Sequence, residues 1–119
     1  RTMPSINNPA TNSVCEFGGT WLLVICILMF SLSGNTSEVG LGASGSFPVT
    51  KLNKAIGMSL GGATGYAINP ARDLAPRIAH AVLPFKSPKR DSGWNYSWVP
   101  VLGPIAGAAF AALCFILIF

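Results

Sequence analysis

Charge is what this sequence most lacks. Its 119 residues include eight lysines and arginines, four acidic residues and one histidine, so only 10% are charged. A soluble domain of this size carries about a quarter. The scarcity argues against a water-exposed globule and for a chain embedded in lipid. The net charge of +4 is spread along the chain in ones and twos. No basic helix or aromatic–basic ladder therefore points to nucleic acid. Cysteine is sparse too: Cys15, Cys26 and Cys114 each lie in an apolar stretch, with no CxxC pair and no histidine cluster. That argues against a metal centre or a disulfide framework and leaves three small, inert hydrophobes. No cofactor is expected. A signal-peptide pattern is also missing. The chain opens without a methionine on "RTMPSINNPATN", which reads as the middle of a loop in something longer.

What is plentiful is apolar length, since half the residues are hydrophobic. "VCEFGGTWLLVICILMFSL", residues 14–32, is long enough to cross a bilayer as a helix and holds one charge, Glu16. A Gly/Ser-rich loop follows. From Phe47 the chain is apolar again, but Lys51 and Lys54 interrupt it, so a span over residues 47–66 requires both to snorkel. Residues 70–82 are too short to cross. The last span, 98–119, begins in an aromatic group (Trp94, Tyr96, Trp98) suited to a membrane interface. It carries Gly103, Gly107 and Ala111 every fourth residue, a stripe that lets helices pack closely in lipid.

"GYAINPARDLAPRIAH", residues 65–80, puts a polar knot between these runs. Asn69 followed by Pro70 is a helix start: asparagine favours the N-cap, and proline tolerates the first turn. An asparagine that caps with its oxygen keeps an amide donor free. Non-helical backbone at membrane depth is tolerated only where protein buries it or it lines an aqueous cavity. The stretch 65–68 is a candidate for such backbone, with its carbonyls as acceptors. Arg72, one turn in, could aim its planar donor fork at the same lumen. Asp73 and Arg77 stand i, i+4 and could pair. A surface turn of a soluble domain, with Arg72 in solvent, is the alternative that the residues themselves leave open.

"GYAINPARD", with "EFGGT" before it and "WVPVLGPIAGA" after it, resembles the second Asn-Pro-Ala region of the aquaporin superfamily. Aspartate directly after Asn-Pro-Ala-Arg is similar to the glycerol-conducting branch. The resemblance implies an all-α, multi-pass protein of the cell membrane built from two inverted three-span repeats, of which this chain would be the second. Residues 1–13 would be loop and 14–119 the repeat, with a re-entrant half helix at 70–82. It further implies that Asn69, Pro70 and Ala71 sit at mid-membrane, with Asn69 donating to the passing solute. Arg72 would form the selectivity filter with Tyr66 and Gly57, and the bare Gly57 would leave room for something wider than water. The carbonyls of Gly65, Tyr66 and Ala67 would accept along one wall, and Glu16 would brace backbone amides of the loop. Asp73, Arg77, Pro100 and Val101 stand where the glycerol branch differs from water channels, although leucine is usual at 101.

The function implied is passive conduction of glycerol, small polyols and water, with no bond made or broken. The expected partners are membrane lipid, a missing first repeat and, by the family's habit, three further copies in a homotetramer. A water-selective channel, and a non-conducting fragment that only packs with partner helices, are the alternatives. Two features pull against the resemblance. The span at 47–66 is short and doubly charged. The loop "PFKSPKRDSGWNYS", expected outside, holds Lys86, Lys89 and Arg90, which the positive-inside rule would place inside. Asn8-Pro9-Ala10 reads as loop rather than as the first pore motif, because the interval to Asn69 holds two spans, not three, and no arginine follows. His80 reads as a packed or loop-bonded histidine, with a pH gate as the other option. For Glu16, a proton-coupled role is the alternative to a brace.

Overall fold

The computed structural model describes residues 3–32, 46–84 and 91–119. All regular structure among them is helical: α1 (Pro9–Phe30), α2 (Ser46–Thr64), α3 (Pro70–Val82), a 3-10 turn (Trp94–Tyr96) and α4 (Trp98–Ile118). The Gly/Ser-rich loop and the cationic run Lys86–Arg90 lie outside the described residues.

The first helix starts earlier than its apolar run. Asn8 caps it by accepting from Thr11 N at 3.3 Å, and Pro9 takes the first position. Residues 9–13, read as loop from their polarity, are therefore the first turn and a half of α1. The cap chemistry that opens α3 also works here. At 22 residues α1 is about 33 Å long, enough to cross the hydrocarbon core of a bilayer. Among the described residues, α1 and the stretch Trp94–Ile118 are long and apolar enough to span a membrane. The 19-residue α2 falls short of that mark, as its lysines suggest. It runs unbroken through Ala55 and ends at Thr64, because Gly65 turns left-handed at φ 82°.

Burial is inverted relative to a soluble protein. Asn12, Glu16, Thr20, Thr64, Asp73, Arg77 and Ser92 are buried, whereas Val14, Leu102, Ile105, Leu113, Ile116 and Leu117 are exposed. Large side chains facing outward and polar ones inward is the arrangement that a lipid solvent demands. The inner face of α1 (Asn12, Glu16, Gly19, Thr20) repeats at helical spacing: Gly19 faces Ile56 and Ile68 and Thr20 reaches Ile68, while Glu16 and Phe17 pack on α4. Gly103, Gly107 and Ala111 of α4 are all buried there. A Cβ at position 103 would stand 2.8 Å from Glu16 Cβ, and one at 107 would collide with the Phe17 carbonyl. Only bare backbone permits this approach. Phe17 and Trp21 meet Phe110 beside the contact, with ring centroids 5.7 and 6.4 Å apart.

Candidate functional site

Between α2 and α3 the chain makes an irregular turn whose backbone is left-handed at three of four residues: Gly65 (φ 82°), Tyr66 (58°) and Ile68 (42°). For the two non-glycine residues this costs about 1–2 kcal/mol each, so something must hold them. Glu16 does: its carboxylate accepts from Ile68 N at 2.6 Å and from Ala67 N at 3.2 Å. The Thr20 hydroxyl donates to the Glu16 carbonyl at 2.8 Å and stands 3.3 Å from the Ile68 carbonyl, and Tyr66 N donates to Thr64 Oγ1 at 3.2 Å. A buried carboxylate receiving two backbone donors is a strong, charge-assisted clamp. It fixes a loop from a helix some 50 residues away in sequence.

The turn delivers the chain to α3. Asn69 is extended (φ −158°, ψ 121°), and its Oδ1 accepts from Ala71 N at 2.9 Å, with Pro70 next. Its Nδ2 makes no hydrogen bond among the described residues. Asn69, Ala71 and Arg72 are all exposed. The Arg72 guanidinium lies over the Tyr66 ring, Cζ 5.0 Å from its centroid, within cation–π range. Pro76 inside α3 removes the N–H that would otherwise take the Arg72 carbonyl. The start of the capped helix is thus its open side, with exposed polar side chains at Asn69 and Arg72 and the Tyr66 ring against the guanidinium.

Two expectations change here. Gly57 does not leave open room: the Tyr66 ring occupies it, and a Cβ at 57 would stand 2.8 Å from Tyr66 Cζ. Its missing side chain is used to seat the ring. Ala67 is wholly enclosed, because Glu16 holds its N–H inward. Its carbonyl therefore faces no open space, which leaves exposed Gly65 and half-exposed Tyr66 as the accessible backbone.

Behind the open side, α3 is locked to the loop that follows it. Arg77 makes a two-pronged pair with Asp73, Nε to Oδ2 and Nη2 to Oδ1 at 2.7 Å each, both side chains fully buried. Its Nη1 donates to the carbonyls of Ser92 (2.6 Å) and Gly93 (2.7 Å). His80 Nδ1 meets Ser92 Oγ at 2.9 Å. Pro100 is buried and Val101 half-buried at the start of α4. Sequence reasoning had no sign of Ser92 and Gly93 as anchors, since backbone carbonyls leave no trace in residue type. Among the described residues no cluster of histidine, cysteine, aspartate or glutamate could hold a metal ion.

The major intrinsic protein (MIP) family matches residues 2–115. The chain is 47% identical over 114 residues to the glycerol uptake facilitator protein of Streptococcus pneumoniae, covering 96% of this chain and 46% of that one. It is 50% identical over 112 residues to the glycerol uptake facilitator protein of Bacillus subtilis, 94% of this chain and 39% of that one. It is 43% identical over 112 residues to a D/L-lactic acid transporter of Lactiplantibacillus plantarum, 93% of this chain and 44% of that one. The chain thus spans less than half the length of the curated relatives it matches. No solved structure matches it significantly. With apolar helices turned outward, a buried polar clamp and a family match along nearly its whole length, this chain belongs to the major intrinsic protein family and is an integral membrane protein.

Proposed function

We propose that this chain forms one half of a passive transmembrane channel that conducts glycerol and other small neutral solutes together with water. In this reading residues 14–119, with the first turn of α1, form the second repeat. A first repeat of the same protein supplies the opposite wall, lipid surrounds α1 and α4, and copies assemble as a homotetramer. The observation that carries it is the open side of the capped half helix. There Asn69, with its oxygen used as cap and its amide left over, stands exposed with Arg72, whose guanidinium lies against the Tyr66 ring; in this reading these groups line the pore. Polar groups on one side suit hydroxyls, and an aromatic ring suits the C–H face of a polyol. Positive charge at Arg72 and at the helix N-terminus disfavours cations and protons. Diffusion through such a site makes or breaks no bond, so no enzymatic activity goes with it.

The two kinds of relative named above motivate the choice of solutes for the test. The complete pore is reconstituted in vesicles and followed by stopped-flow light scattering in glycerol, lactic acid and sucrose. Re-swelling in glycerol but not in sucrose is the expected result. Water flow without glycerol flow would favour a water-selective channel, and lactic acid flow alone would reassign the solute. Neither flow would leave a non-conducting fragment that only packs with partner helices. Arg72→Ala should widen solute acceptance; unchanged size discrimination would count against its filter role.

A further inference from the structure

Tyr66 is held on three sides. Its ring lies in a notch on α2, where a Cβ at Gly61 would meet Tyr66 Cβ and one at Gly57 would meet Cζ. The Arg72 guanidinium covers it from the side of α3. The third contact is at the hydroxyl, which meets both the backbone carbonyl oxygen and the side-chain Oδ1 of Asn53. Asn53, Gly57 and Gly61 are spaced by four and so stack on one face of α2. The ring is laid lengthwise along that face, hydroxyl at Asn53 and Cβ at Gly61.

The chemistry of the tie is specific. A phenol has one proton to donate, so it cannot serve two acceptor oxygens at once. Turning the Asn53 carboxamide end for end resolves the conflict. The phenol then donates to the Asn53 carbonyl, and the carboxamide N–H donates to the phenol oxygen. A phenylalanine in place of Tyr66 could not be tied in this way. Untied at its hydroxyl, the ring keeps only its contacts with the glycine notch and with Arg72.

We infer that Asn53 is a positioning residue for the constriction: it pins the Tyr66 ring flat along α2, and the pinned ring fixes the Arg72 guanidinium and so the width that a solute must fit. The role in solute selection rests on the channel reading above; the bond itself does not.

Two measurements separate them. The first is ultraviolet resonance Raman spectroscopy of the complete pore in lipid nanodiscs, where subtracting the spectrum of a Tyr66→Phe variant isolates the Tyr66 signal from that of Tyr96 and any other tyrosine. Asn53→Leu should move the Tyr66 signal from a hydroxyl that donates and accepts towards one that only donates. An unchanged signal would overturn the tie. The second is the glycerol-to-ribitol permeability ratio of the complete pore. Loss of one net hydrogen bond shifts an equilibrium about fivefold, so Asn53→Leu should lower that ratio about fivefold with water flow kept. In a Tyr66→Phe background the same substitution should cost nothing further. A Raman shift with an unchanged ratio, or additive losses in the two variants, would overturn the positioning role. A parent pore that conducts no solute would overturn the channel reading and this role with it, leaving the Raman shift as a packing bond only.

Discussion

Replacing Glu16 by glutamine should release the loop that carries the site. The carboxylate holds Ile68 N at 2.6 Å and Ala67 N at 3.2 Å from a position that is 1% exposed. Glutamine has the same shape but a single acceptor. If its oxygen keeps Ile68, its amide nitrogen faces the Ala67 N–H, donor against donor. One charge-assisted bond is lost and two buried donors, the Ala67 N–H and the glutamine amide, are left facing each other, together at least about 3 kcal/mol. The left-handed backbone at Tyr66 and Ile68 stores about 1–2 kcal/mol apiece. Those two strains together are of the same size as the clamp, so without it the loop relaxes. The assay is amide hydrogen exchange of the complete pore in nanodiscs. A loss of about 3 kcal/mol corresponds to roughly a hundredfold faster opening, and the effect should be confined to residues near Ala67 and Ile68. Glycerol permeability of the complete pore should fall in parallel. Unchanged protection at these two amides would refute the clamp.

Gly107→Val should force α4 off the Phe17 carbonyl, cost upwards of about 1–3 kcal/mol, and lower the melting temperature in detergent; an unshifted melt would show that the helices do not touch there. Asp73→Ala strands a buried guanidinium and should cost about 3–5 kcal/mol, whereas Asp73→Ala combined with Arg77→Met should recover part of that loss in the same melt. Asn69→Asp keeps a capping oxygen, so stability should stay within about 0.5 kcal/mol. Its glycerol permeability should still drop, because the amide donor is gone; equal permeability would remove Asn69 from the conduction path.

The parts of the fold that depend on composition were legible. Uninterrupted apolar length marked α1 and α4, and Gly103, Gly107 and Ala111 announced close packing without naming its partner. Asn69-Pro70 marked the start of α3 because capping is local chemistry. The same dipeptide at Asn8-Pro9 reads as loop from its polar surroundings and from its distance to Asn69, a reading that misses the cap it forms there. The turn at 65–68 was harder. Tyr66 and Ile68 avoid left-handed backbone on their own, and only the distant Glu16 makes it tenable. The space over Gly57 could not be assigned either, because its occupant depends on where that turn aims the Tyr66 ring. The role of Asn53 is hidden for the same reason. Its spacing to Gly57 and Gly61 was visible, but nothing local said that a phenol would reach it.

The most direct test of the account is whether water reaches the start of α3 from within the protein. In the complete pore with Cys15, Cys26 and Cys114 replaced by serine, Asn69→Cys or Ala71→Cys is exposed to a membrane-impermeant methanethiosulfonate reagent. The account predicts rapid labelling that slows in the presence of glycerol and blocks solute flow. Thiols that stay unlabelled, or that label at the same rate with and without glycerol, would contradict it.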